Sequence, residues 1–287
     1  MPIYNPLPNN TFLPNLFSQL PSNAGNVHIS VNTHLTSDLY CITLIIDAGI
    51  TLFTDNWRIY CLTSLVNNGT ISNNGTNGNN GTAIAGGSQA NNPVNRTLRQ
   101  GQNGRAGVIN GLNGLSGSNL TSVIGRQGAN GGDAIVQTSG LAGTPTFMVF
   151  DILGISAMLQ SFYINSIISA SIVNAYPNTA SGSGGADAGA AGSGSAGCGA
   201  GIVFIYANTI TNNGSINTIG GNAGSPFNNG VTPVGGSGGG AGGIIILIAK
   251  TIVEGTLDTT EGNGSNGVNG GTPGDAPNSG PLLLINA

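Results

Sequence analysis

Charge is scarce in this chain. Lys, Arg, Asp and Glu together make 6% of its 287 residues, with 6 basic against 10 acidic side chains. So few cations leave no electrostatic footprint for a phosphate backbone, which argues against nucleic acid as a partner. Cysteine is also sparse. Cys41, Cys61 and Cys198 show no metal-ligand spacing, and an odd number does not make a disulfide framework. Cys41 and Cys61 could be cross-strand neighbours, with buried free thiols the preferred reading. The two histidines, His28 and His34, have no carboxylate at a diagnostic spacing and read as structural or surface residues. The scattered carboxylates nominate no acid/base pair, and no Walker loop precedes Lys250. Gly192 to Gly197 satisfies G-x-G-x-x-G, but in a glycine-rich strip that pattern arises by chance, and no acidic residue follows at the expected distance. These absences predict a protein that is not an enzyme and needs no cofactor.

The N-terminus, Met1 to Pro8, has neither the basic nor the apolar region of a secretory signal. The chain is then either already mature or leaves the cell by a route that reads no signal, as virion parts released by lysis do. The Pro-rich opening through Pro21 reads as an arm that docks on a partner or on its own core, or as a short amphipathic turn. Trp57, the single tryptophan, follows the Asp55-Asn56 turn and reads as a core lid.

What the chain has in quantity is glycine, 50 residues, beside 39% hydrophobic residues gathered into discrete runs. Disordered Gly-rich chains are usually hydrophilic, so this one is read as folded. One unit recurs. Ile202 to Ile210 runs into Asn212-Asn213-Gly214-Ser215-Ile216, Ile244 to Ile252 into Glu254-Gly255-Thr256-Leu257, and Ile59 to Leu65 into Asn67-Asn68-Gly69-Thr70-Ile71. Each reads as a buried β-branched strand, a tight turn with positive φ at glycine, and a short return strand. Val27 to Asn32, Leu39 to Ile46 and Ile50 to Phe53 add strands at short spacing, which suits a solenoid or a small sandwich.

Between Gly101 and Gly132 the period becomes three, in Gly-X-X triplets without proline. Collagen needs Pro-rich X and Y positions, so the remaining option is a polyglycine-II helix, left-handed, with three residues per turn. Glycine on one side lets neighbouring helices approach until their backbones hydrogen-bond, which offsets the large entropy of ordering glycine. Gly182 to Gly201, Gly235 to Gly243 and Gly262 to Gly274 are further strips that could join the bundle; flexible linkers are the alternative. Ile152 to Ala175 carries no charge and is long enough to cross a bilayer. Its internal Gln160, Asn165 and Asn174 and its lack of a positive flank favour an apolar packing face, helix or strand undecided.

The expected fold is all-β, with strand/turn repeats of solenoid or sandwich type combined with a bundle of polyglycine-II helices. The expected divisions are an arm at 1–26, a β module at 27–86, a Gly-X-X segment at 87–146, an apolar segment at 147–180 and a Gly-rich strand-repeat region at 181–287. Gly-rich strips alternating with short segments, from about Gly69 to Asn278, resemble the receptor-recognising adhesins at the tail-fibre tips of T-even-like phages. In those proteins strips of polyglycine-II helix pack together and the connecting loops contact the host. The Asn-Asn-Gly-Thr/Ser-Ile unit is also similar to repeats of viral fibre and microbial surface proteins. The likeness rests on composition and period, and the apolar 147–176 stretch and the Pro-rich arm depart from it.

That resemblance and the lack of a catalytic set lead to one expectation: a virion tail-fibre or spike protein binding a host-cell surface glycan or protein, assembled with other fibre subunits and as a homo-oligomer. A structural filament, coat or surface-layer subunit is the alternative. If the strips consume their own backbones, recognition falls to the joining segments, Arg96 to Arg99, Tyr176 to Asn178, Ser225 to Val234 and Thr272 to Pro277. The contact candidates are Phe227, Tyr176, Asn178, Asn228, Arg96 and Arg99. Phe227 and Tyr176 act there either as aromatic contacts or as lids folded onto the bundle edge.

Overall fold

The computed structural model describes residues 3–4, 25–83, 85–88, 192–276, 279–280 and 282–286. These residues are rich in strand and contain no helix, as an all-β chain requires. The chain passes repeatedly from a first sheet to a second. The passes run from β2 (Asn26–Ile29) to β3 (Thr33–His34), from β4 (Leu39–Ile46) to β5 (Thr51–Phe53), and from β6 (Ile59–Asn67) to β7 (Thr70–Ser72). They continue from β8 (Ile202–Asn212) to β9 (Ser215–Asn217), and from β10 (Ile244–Ala249) and β11 (Thr251–Val253) to β12 (Thr256–Asp258). The first sheet has the order β2-β4-β6-β8-β10, followed by β13 (Leu282–Asn286) and β1 (Ile3–Tyr4), with β11 also beside β8. The second has the order β3-β5-β7-β9-β12. Every pairing between these strands is parallel.

This corrects the expected hairpin. The short strand after each turn does not return along its own long strand; β7, β9 and β12 pair with one another in the second sheet. The turn glycines have a different reason to be glycine as well. Gly255 alone of the three is left-handed, with φ 56°. A Cβ on Gly69 would overlap the carbonyl oxygens of Ile50 and Asp47, and one on Gly214 would overlap the Gly69 carbonyl oxygen. Close stacking of successive passes, and not positive φ, fixes those two positions.

Side chains fill the space between the sheets. Leu44, Ile46, Leu65, Ile210, Val203 and Ile205 from the first sheet meet Leu52, Ile71 and Ile216 from the second, all fully buried. Trp57 packs half-buried on this core. Parallel strands covered on both faces read as continuous apolar runs, and β8 and β10 do so: Ile202, Phe204, Tyr206, Ile244 and Ile246, on the opposite face, are also buried. Buried asparagines hold the corner. The Asn67 Nδ2 donates to Asn212 Oδ1 at 2.7 Å and to the Ser215 carbonyl at 2.9 Å, and Asn212 Nδ2 donates to the Thr256 carbonyl at 3.1 Å. Each amide thus closes a backbone group of the next pass, across 148 positions of sequence in the first case.

Beyond the second sheet the chain runs in glycine-rich strips whose backbone bonds recur at every third residue. The strip at 218–227 shows the pattern fully. Ile219, Asn222 and Ser225 donate their N–H groups to Oδ1 of Asn74, Asn77 and Asn80, each at 2.8 Å. Gly220 and Ala223 donate to the carbonyls of Thr260 and Asn263, each at 2.9 Å. Gly221, Gly224 and Phe227 donate to the carbonyls of Cys198, Ser195 and Gly192 at 2.8, 2.9 and 2.9 Å. Successive N–H groups therefore turn to three different neighbours in rotation. In the other direction, Gly75, Gly78 and Gly81 donate to the carbonyls of Ile219, Asn222 and Ser225. A side chain on Gly78, Gly194, Gly197, Gly224 or Gly240 would overlap a carbonyl oxygen of the adjacent strip.

Candidate recognition surface

The strips at 73–82, 218–227 and 259–267 lie side by side, and asparagine joins them along the exposed side. Asn74, Asn77 and Asn80 spend their Oδ1 atoms on the second strip, and Asn222 spends its Oδ1 on the Asn263 N–H of the third at 2.8 Å. On the third strip Asn263 and Asn266, both exposed, make no such bond onward among the described residues. Between the second and third strips opens a cleft of about 420 Å³. Asn222, Ser225, Pro226, Asn263, Asn266 and Val268 line it, and its lining contains no ionisable side chain. The residue types supply amide and hydroxyl donors and acceptors beside two apolar surfaces.

The chain then turns through a compact loop next to the cleft. Asn228 Oδ1 accepts from Gly230 N at 2.9 Å, Asn229 Oδ1 accepts from Val231 N and Thr232 N at 3.1 and 2.8 Å, and Asn269 Nδ2 donates to the Thr232 carbonyl at 2.9 Å. These side-chain closures replace strand bonds, which is why asparagine fills the loop. Val234 and Val268 form an antiparallel bridge beneath it. Phe227 is half-buried and packs with Val268 on the fully buried Val234. Asn228 is exposed. Thr272 and Asp275 accept from Gly236 and Gly239 and belong to a strip, whereas Tyr176, Asn178, Arg96 and Arg99, like the 101–132 triplets and the 152–175 apolar stretch, lie outside the described residues.

At the other end of the sheets, spacings near twenty bring polar groups together. His28 Nε2 meets Asp47 Oδ1 at 2.7 Å and His34 Nδ1 meets Asp55 Oδ2 at 2.8 Å, at separations of 19 and 21. Arg58 donates its backbone N–H to Asp38 Oδ1 and its Nε to Oδ2, each at 2.9 Å. Both histidines thus have carboxylate partners, at the spacing of one pass. Tyr40, Tyr60 and Tyr206 stand in register across three strands, with the first two rings stacked at 5.0 Å. Burial raises the phenols of Tyr60 and Tyr206 above their ordinary range. Cys41 and Cys61 are cross-strand neighbours and free thiols, buried with Sγ atoms 3.1 Å apart; their mutual hydrogen bond lowers Cys41 and, with burial, raises Cys61.

Comparisons with protein-family models, with curated proteins and with solved structures found no match to this chain.

Proposed function

We propose that the two sheets are faces of a β-solenoid, that the strips form a bundle of polyglycine-II helices, and that this body is an attachment module. Carried on a virion tail fibre or spike, it binds a host-cell surface glycan or protein without catalysis, assembled with other fibre subunits as a homo-oligomer. The observation that carries the bundle is the rotation of N–H groups from Ile219 to Phe227 among three neighbours, since three residues per turn is the polyproline-II period. The backbone is consumed inside, so what faces outward is side chains, exposed asparagines such as Asn74, Asn77 and Asn263 among them, and the joining loop around Phe227 and Asn228. Tyr176, Asn178, Arg96 and Arg99 complete the proposed contact set. Fluorescently labelled protein is titrated onto a panel of bacterial cells, with Phe227→Ala and Tyr176→Ala beside it. Saturable adhesion, lost in a variant whose melting is unchanged, supports attachment through that aromatic; no adhesion to any surface and no occurrence in particles ends the reading.

A filament or coat subunit is the second reading, favoured by one feature. β2 and β3 end their sheets, and their outer edges pair with no further strand among the described residues. Such edges can add strands from another molecule. Sedimentation velocity of the purified chain separates the two, because a filament subunit polymerises and an attachment module stays a closed small oligomer.

A further inference from the structure

The cleft between the second and third strips lies where the asparagine ladder breaks. On the first strip, Asn74, Asn77 and Asn80 recur at three-residue intervals, and each spends its oxygen on an N–H of the strip beside it. On the second strip only one of the three corresponding positions, 219, 222 and 225, is asparagine. Asn222 reaches Asn263 N, but position 225 is a serine, whose side chain makes no bond to the third strip. The cleft lies there, beside Pro226, which has no N–H to give to the third strip, and Asn263 and Asn266 present amides that no further strip uses among the described residues.

We infer that this cleft binds an uncharged oligosaccharide. The lining holds amides and a hydroxyl but no ionisable group, so it offers neither a counter-charge for an anion nor one for a cation. Each amide both donates and accepts, which matches sugar hydroxyls that do the same. Asn263 and Asn266 are three residues apart, about 9 Å along a chain rising about 3.1 Å per residue, so they meet separate positions of an extended ligand. Pro226 and Val268 give apolar flanks for the C–H faces of the ring. The bundle holds the lining on fixed backbone, which limits the ordering cost of binding. This assignment deepens the attachment reading, on which its biological role rests.

Isothermal titration of the full chain with hexasaccharides of glucose, mannose, galactose and N-acetylglucosamine tests it. At least one is expected to bind saturably. The double variant Asn263→Ala/Asn266→Ala is expected to bind about thirtyfold more weakly, the loss of two hydrogen bonds of about 1 kcal/mol each. Asn266→Asp, which keeps the size but loses the amide donor, is expected to weaken binding with unchanged melting. If no hexasaccharide binds, or if the double variant binds as well as the parent, the inference is overturned. Concentration-dependent self-association abolished by the double variant, with no sugar bound, would overturn it in favour of a second copy of the chain. Sugar binding without adhesion to cells sinks the attachment reading and leaves the cleft standing; adhesion to cells with no hexasaccharide bound does the reverse.

Discussion

The sheets and the strips are ordered by opposite means. Between the sheets, Leu65, Ile71, Ile210 and Ile216 supply the driving force by leaving water, and the backbone bonds follow from the register. In the strips almost no side-chain volume exists to bury, and order depends on backbone groups meeting backbone groups at every third residue. The first region should tolerate a changed volume at a measured cost; the second leaves no room for a methyl group at glycines such as Gly194, Gly197 and Gly240.

The largest effect is therefore expected at glycine. Gly197→Ala or Gly240→Ala drives Cβ into the carbonyl oxygen of Gly221 or Cys198 and should destabilise the chain by about 4 kcal/mol or more in chemical denaturation. If either variant melts like the parent, the contrast between the regions collapses. Leu65→Ala, a fully buried core truncation, should cost about 3 kcal/mol. Asn67→Ala leaves Asn212 Oδ1 and the Ser215 carbonyl without their donor and should cost about 2 kcal/mol.

Proton linkage reads the aromatic register. Tyr60 and Tyr206 have folded pKa values raised by burial above those of the unfolded chain, so their stabilising contribution is complete below pH 10 and is lost as pH rises beyond it. The expected slope is about 1.4 kcal/mol per pH unit for each tyrosine. Denaturant melts from pH 9 to 11 should show this decline, and Tyr60→Phe with Tyr206→Phe should flatten it. The smallest effect is at the exposed ladder, where Asn80→Ala removes the acceptor for Ser225 N and should cost about 1 kcal/mol or less.

Much of this contrast is legible in the residues. Runs such as Ile244–Ala249 announce buried strands, and the strips at 192–201, 235–243 and 262–274 stand out by composition. The first strip is less plain, although Gly75, Gly78 and Gly81 already carry its period, because Asn-Gly steps also read as turns. Pairing within the second sheet was not legible. β7 and β9 are neighbours across 145 positions, and local pattern cannot choose that partner over a hairpin return. The His28–Asp47 and His34–Asp55 pairs become readable once a pass is known to span about twenty residues, as Tyr40 beside Tyr60 indicates. The cleft could not be found from either strip alone, since it depends on Ser225 and Asn266 meeting in space.

Residue-resolved hydrogen exchange across 218–227 tests the central claim most directly. None of these residues lies in a strand, yet the N–H groups from Thr218 to Ser225 and that of Phe227 all have acceptors on neighbouring segments. The account predicts protection of these amides comparable to that of β8, and its simultaneous loss in Gly197→Ala. Exchange at the rate of an unstructured peptide, while β8 stays protected, would contradict it and make the glycine-rich strips linkers.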